Sequence, residues 1–362
     1  MSASGHDMNG APRPTEDDNR RTIDAIVEKI PFRSSRGILA ATILLFLVSW
    51  IVQPETLGSS AMSGMIPFAA ILAVIALGQT LVIQQGGIDL SVPGVVSLSG
   101  IIVAYYSSHQ PGLGDANLLT AVLWALGVAA VAGLVSGLLV SKAQVAPIVA
   151  TIGMNAVLYG VNLQISGGTP VQVPESLSTF VDYKIFGVTT LAYLAVAITI
   201  VVMLIIKKTV FGRRFEAVGA NAQATRAAGV VAGRYQLAAY VGAAVLYAIG
   251  GIFLAGIISL PSAFQGDIYL IPSIAAVVLG GTSLFGGSGN LVATVIAAVF
   301  LTQLQQLVLT TGASAGVQFL FQGGAIIVGV AVYSLKLNEL TELLKMLIRR
   351  NPASEATGSS SS

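Results

Sequence analysis

The sequence predicts an all-α polytopic membrane protein of about ten transmembrane helices in two inverted halves, with the N- and C-termini cytoplasmic. Three observations point there. Hydrophobic residues make up 54% of the chain and charged residues only 9%, with a mean hydropathy of +0.83, whereas soluble domains carry about 25% charged residues. The apolar residues fall in runs close to the ~20 residues a helix needs to cross a bilayer. When ten such runs are threaded with the N-terminus inside, seventeen of the eighteen Lys and Arg residues lie on the inner side and only Lys184 lies outside, as the enrichment of Lys and Arg in cytoplasmic loops requires. Ten spans divide into two sets of five. An odd number per half inverts one half in the membrane relative to the other, a common transporter plan.

The elements follow in order. Residues 1–36 are polar and mixed in charge. Within them Ile23, Ile26, Val27 and Ile30 fall on one helical face that Pro31 ends, which reads as a short helix lying on the membrane surface. The spans are expected at 37–53, 61–84, 92–108, 117–140, 146–165, 187–206, 236–258, 271–287, 289–310 and 316–335. They make residues 37–335 the membrane domain and 336–362 a cytoplasmic tail. The third and eighth spans are rich in glycine and close to their neighbours. Either is a candidate for a broken or re-entrant helix, which is tolerated only where protein buries it.

The longest polar segment between spans is the 207–236 loop, with Lys207, Lys208, Arg213, Arg214, Arg226 and Arg234. Within it Asn221 can cap a short helix over 222–228, and Gly229 stands where a left-handed stop is wanted. A short, Ala-rich, capped helix on a basic loop suits docking to a cytoplasmic partner. A basic loop also does nothing more than fix topology in many membrane proteins.

Catalytic constellations are missing. There is no cysteine, and the two histidines, His6 and His109, both stand outside the spans, so thiolate chemistry and a histidine metal site are excluded. GGTSLFGGSG lacks the Lys-Ser/Thr ending of a phosphate-binding loop. No metal, cofactor or nucleic-acid partner is expected, and no enzymatic activity. Asp89, in GGIDLS, stands at the inner end of the second span, as a cap for the third or as a coupling or gating residue. Gly86 and Gly87 allow the sharp reversal that closely spaced spans require.

The polar residues inside the spans are neutral amides: Gln79, Asn155, Asn162, Gln164, Gln303, Gln306, Gln318 and Gln322. Asn155, Tyr159 and Asn162 share one helix face, as do Gln318 and Gln322. Such groups both donate and accept hydrogen bonds, which suits an uncharged polyhydroxylated solute, and the same groups also bond helices to one another. Proton-driven carriers use buried acids or histidines, and the spans have none. A conduit without its own energy source needs a partner to drive it, although a self-sufficient carrier and a receptor-like membrane protein remain as alternatives.

Three stretches, 86–100 (GGIDLSVPGVVSLSG), 217–235 (AVGANAQATRAAGVVAGRY) and 274–289 (IAAVVLGGTSLFGGSG), resemble the permease subunits of bacterial ABC importers for ribose, xylose, galactose and similar monosaccharides. The resemblance covers about residues 37–335. It implies a ten-helix permease of the bacterial inner membrane, a second permease subunit beside it in the lipid bilayer, a cytoplasmic ATPase pair and a soluble sugar-binding protein outside. Under it the segment with Gly219, Asn221, Ala224, Arg226 and Gly229 becomes the helix that enters a groove on the ATPase. Gly86, Gly87, Asp89, Gly280, Gly281, Gly286 and Gly287 become motif residues for gating or structure. Related permeases for nucleosides, branched amino acids or a sugar-like signal share the pattern.

Overall fold

The computed structural model describes residues 35–108, 117–312 and single positions beyond, up to 327. The order is α1 (Ser35–Val52), a 3-10 turn (Pro54–Leu57), α2 (Ser59–Gln84), α3 (Val92–Ser108), α4 (Leu118–Ser141), α5 (Pro147–Ser166), α6 (Glu175–Asp182), β1 (Lys184–Ile185), β2 (Val188–Thr189), α7 (Thr190–Lys208), α8 (Val210–Ala220), α9 (Ala222–Ala227), α10 (Ala232–Ile258), a 3-10 turn (Asp267–Tyr269), α11 (Leu270–Leu279) and α12 (Leu291–Thr310). The two strands form a single antiparallel hairpin around Phe186 and Gly187. The protein is an all-α polytopic membrane protein. Among the described residues seven helices, α1, α2, α4, α5, α7, α10 and α12, are long and apolar enough to cross a membrane, and α3 and α11 are shorter apolar helices.

Nine of the ten expected spans therefore have a helical counterpart. The tenth is described only at single helical positions between 316 and 327, and the surface helix at 23–30 and the 336–362 tail lie outside the described residues. The eighth needs correction. Its helix stops at Leu279 rather than running to 287. Ten residues rise only ~15 Å, about half of a ~30 Å hydrocarbon core. The following segment, 280–290, is irregular because Gly281, Gly286 and Gly287 take φ of 76°, 91° and 85°, values that L side chains rarely adopt. Its amides are satisfied locally and across the fold: Thr282 N donates to Val277 O, Ser283 N to Ser288 O and Gly287 N to Gln84 O. The 166–186 loop holds the short helix α6, which sequence reasoning left out. Its apolar side, Leu177 and Val181, packs on Gly256 of α10.

Helices α2 and α10 form the centre. In their apolar stretches 83% and 67% of residues are buried, against 22–28% in α1, α4, α5 and α7, so the latter four ring the bundle. Helix α10 packs on α2, α3 and α4, and α12 on α1 and α2. Small residues let these axes approach. A Cβ at Gly251 of α10 would lie 2.2 Å from Val96 O of α3, and one at Gly133 of α4 would lie 2.6 Å from Tyr240 O of α10. The ring helices turn Leu44, Ile51, Leu119 and Val149 outward, all exposed, as lipid contact allows.

Five segments meet at one end of the bundle: the start of α1, 85–91, 141–147, 207–236 and 280–290. Asn290 Nδ2 donates to Ser35 Oγ at 2.6 Å, Gln85 Nε2 to Phe215 O at 2.9 Å, and Gly233 faces Ser141. These are the segments that the charge pattern assigned to one side of the membrane. Among the described residues every Lys and Arg except Lys184 belongs to this basic end. Lys184 sits on the hairpin at the opposite end.

Candidate functional site

The three motif stretches come together at the basic end as one junction of bare backbone. Gln84, the last residue of α2, accepts from Gly287 N at 2.9 Å. A Cβ on Gly219 of α8 would lie 2.0 Å from the same Gln84 O and 3.0 Å from Gly287 N, and a Cβ on Gly286 would lie 2.6 Å from Gly219 O. No side chain fits between these three segments, which explains the glycines physically. Gly86, at φ 76°, turns the chain out of α2, and Gly87 abuts the Tyr240 hydroxyl. Gly280 closes α11 against the first turn of α12, where a Cβ would lie 2.7 Å from Thr294 N, and Gly281 turns away from it. Phe215 is buried beneath α8 and stacks loosely with Phe211, which in turn meets Tyr235. Lys207 and Glu216 form an ion pair across the α7–α8 corner.

From this junction projects α9. Asn221, extended at φ −159°, accepts through Oδ1 from Gln223 N at 3.0 Å and Ala224 N at 2.9 Å, the cap expected from the sequence. The helix ends at Ala227, one residue earlier than expected, and Gly229 stops it at φ 80°. Arg226 Nε donates back to Ala222 O at 3.1 Å. Gln223, Ala224, Arg226, Ala227 and Ala228 are all exposed, and no residue of this helix is buried. Beside it a cleft of about 690 Å³ is lined by Lys142, Arg226 and Arg234, cations without an ion-pair partner among the described residues.

Asp89 closes a tight turn just ahead of α3 and bonds the residue before the helix, Ser91, in place of a first-turn amide of α3. Its Oδ1 accepts from Ser91 N at 2.8 Å and Ser91 Oγ at 2.6 Å, and no arginine pairs with it among the described residues. Burial pushes its carboxyl above the usual carboxylate range, and the two Ser91 donors oppose that shift. With its nitrogen toward Tyr247, the Gln79 amide bonds the Tyr247 hydroxyl at 2.7 Å and pairs with the Asp89 backbone, N and O, at 3.3 Å each. Gln79 is thus a cross-helix tie, as is Gln303, whose Nε2 donates to Ser49 Oγ at 3.0 Å.

Asn155, Tyr159 and Asn162 do share a face of α5, and that face looks inward. Asn155 Oδ1 accepts from Gly94 N of α3 at 2.8 Å, Tyr159 donates to Asp267, and Asn162 Nδ2 donates to Ala263 O at 2.7 Å. Tyr159 also meets Phe264 edge-on, with ring centroids 5.1 Å apart. The opposite face of α5, with Val149, Ile152 and Val157, is exposed and apolar. Gln318 and Gln322 lie outside the described residues. Sequence reasoning missed Gln265 and Tyr269, which sit in the short link before α11. Both amide atoms of Gln265 and the Tyr269 hydroxyl are buried with no partner among the described residues. Gln265 lies against Gly100 of α3, so these groups add unspent hydrogen-bonding capacity between α3, α10 and the α11 half-helix.

A helical membrane bundle with an exposed, capped helix on a basic loop, joined backbone to backbone to its two central loops, has the build of a membrane transport subunit. The comparisons carry this further. The chain belongs to the family described as branched-chain amino acid transport system / permease component, whose pattern matches residues 61–331. A probable ABC transporter permease protein of Sinorhizobium fredii is 32% identical over 314 residues, 86% of this chain and 92% of that protein. The ribose import permease protein of Bacillus subtilis is 32% identical over 316 residues, 85% and 93% respectively, and the galactose/methyl galactoside import permease protein of Haemophilus influenzae is 30% identical over 311 residues, 81% and 93%. No solved structure gives a significant match. The protein is the permease component of an ABC transporter, a multi-pass membrane protein and not an enzyme.

Proposed function

We propose that the chain forms the path by which a monosaccharide of the ribose class crosses a bacterial inner membrane, driven by a separate cytoplasmic ATPase subunit. In this reading the basic end and both termini are cytoplasmic. A soluble sugar-binding protein delivers the solute to the opposite end, and a second permease subunit completes the conduit. Helix α9 enters a groove on the ATPase, and the cleft lined by Lys142, Arg226 and Arg234 suits acidic groups on its rim.

The observation that carries the reading is the Gly219–Gln84–Gly287 junction. A push on α9 travels one residue to α8, and α8 touches the end of α2 and the 280–290 loop backbone to backbone at Gly219, with the Gln85 amide bonded to Phe215 O beside it. Packed backbone transmits displacement because nothing at the contact can rotate away. The coupling element therefore bears on the two loops that begin α3 and follow α11. The family description names branched-chain amino acids, but α2, α3, α5 and α11 carry no charged side chain, α10 carries only Arg234 in its first turn at the basic end, and the acid beside the α5 face, Asp267, is engaged by Tyr159, which leaves no paired cation and anion there to hold a carboxylate and an ammonium. The amides and phenols of Asn155, Tyr159, Asn162, Gln265 and Tyr269 suit hydroxyl groups.

Two tests apply. Reporter fusions after Lys142 and Arg226 should read inside and one within 170–184 outside; disagreement between the first two would sink the orientation. Ala224→Pro, which removes a backbone donor from α9, and Ala227→Trp should leave the permease in the membrane while abolishing ATPase copurification and sugar uptake. Variants that copurify and transport like the parent would reduce the loop to a topological anchor.

A further inference from the structure

A second cavity opens at the basic end, distinct from the cleft beside α9. It measures about 250 Å³ and is walled by the end of α2, the α4–α5 turn and the first turns of α10. That is far more than the ~15 Å³ that admits one water and just below the ~300–1,000 Å³ of pockets for drug-sized ligands, so its scale is that of a smaller solute. Its polar side chains are Gln85, Gln144, Gln236 and Tyr240. All are neutral, and each can both donate and accept. Two polar atoms in its wall, the Tyr240 hydroxyl and Gln85 Oε1, are buried and make no hydrogen bond among the described residues. Buried polar groups are normally paired, so an orphan asks for a ligand or another state.

The other half of the Gln85 amide is engaged. Its Nε2 donates to Phe215 O of α8 at 2.9 Å, four residues before Gly219. A displacement of α8 therefore moves a wall of the cavity. Gly87 lies against the Tyr240 hydroxyl so closely that a Cβ there would come within 2.5 Å of it. A shift of the 85–91 loop would change how far the hydroxyl is covered.

We propose that this cavity is the release site at which the transported solute, a neutral polyhydroxylated molecule, makes its last hydrogen bonds before leaving, with Tyr240 and Gln85 as the contacting groups. The proposal rests on the reading of the chain as a solute permease. It adds a site outside the α5 face and a direct link, through Gln85, between that site and α8.

The chain has no cysteine, so single cysteines report cleanly. Gln236→Cys and Val145→Cys in the cavity wall, and Gln223→Cys on α9 as an outside reference, are labelled in the purified full-length permease in nanodiscs with a water-soluble thiol reagent. D-ribose, D-xylose, D-galactose or L-leucine is added in turn. At least one sugar is expected to slow labelling at 236 and 145 several-fold while leaving 223 unchanged, and Tyr240→Phe in the same background is expected to abolish that protection. Uptake of the same compounds is measured in cells carrying the complete transporter. If a sugar is taken up but changes no labelling rate, the cavity is a solvent vestibule: the release site is overturned and the permease reading stands. Protection by L-leucine alone, or protection that survives in Tyr240→Phe, also overturns the assignment. If no sugar is taken up, the substrate class of the proposed function falls and the release site with it.

Discussion

Gly219→Ala should break the junction at its tightest point. The new Cβ would arrive 2.0 Å from Gln84 O, where ordinary contact begins near 3.4 Å, so it stands about 1.4 Å too close. The obstructing atom belongs to the backbone of α2 and cannot rotate aside. Overpacking of this kind costs ~1–3 kcal/mol. Alanine offsets ~1 kcal/mol as the better helix former, leaving a net loss of up to about 2 kcal/mol, or a fall of a few degrees in the unfolding midpoint. Gly233→Ala is the matched control: it stands in the first turn of α10, where a Cβ would meet Ser141 only at an ordinary 3.7 Å, and should be neutral or slightly stabilising. Thermal unfolding of both purified variants, followed by tryptophan fluorescence, gives the stability comparison. Uptake alongside ATPase copurification tests coupling, with Gly219→Ala expected to lose transport while still binding the ATPase. If Gly219→Ala matches the parent in stability and transport, the three backbones are not in rigid contact. If Gly233→Ala falls as far, the loss has nothing to do with the junction.

Further outcomes follow from the capped helix and the buried acid. Asn221→Ala should weaken α9 by about 0.5–2 kcal/mol through loss of its two capping bonds and lower ATPase copurification, whereas Asn221→Asp, which keeps the acceptor, should restore it; equal behaviour of the two would remove the cap from the account. For Asp89, burial raises the folded-state carboxyl above its unfolded value, so its contribution is most favourable at low pH and is lost as pH rises through the folded-state value. Asp89→Asn, which still accepts from Ser91, should therefore flatten the fall of the unfolding midpoint with rising pH and be at least as stable as the parent at pH 7; an unchanged pH profile would show that the carboxyl is not desolvated.

The parts of the fold legible in the sequence were those set by solvent and charge. Span positions followed from apolar run length, and grouping of the loops at one end followed from Lys and Arg. The Asn221 cap was readable because three residues determine it. The end of α11 was not, because Leu284 and Phe285 prolong the apolar run while the decision to leave the helix is made by glycines taking positive φ. The 175–182 helix was hidden by its length, two turns with only a small apolar side. The candidate site was half legible. The motif stretches could be quoted, but their meeting depends on pairs such as Gln84 with Gly287, separated by some two hundred residues, and no local pattern encodes a long-range backbone contact. The inward turn of Asn155, Tyr159 and Asn162 was readable from periodicity; their partners on α3 and the 259–267 segment were not.

The shortness of α11 has a consequence for how the protein is made. A ten-residue helix is too short to cross the bilayer by itself, and the irregular backbone after it lies at the basic end against α2 and α8. This stretch must enter together with α10 and α12, as a hairpin with its middle protected. One of its last amides, Gly287 N, finds its acceptor only on α2, made long before. Biogenesis of the second half is thus completed on a template supplied by the first. A ribosome stalled after α10 would leave the carbonyl of Gln84 without the amide that it accepts from in the finished fold.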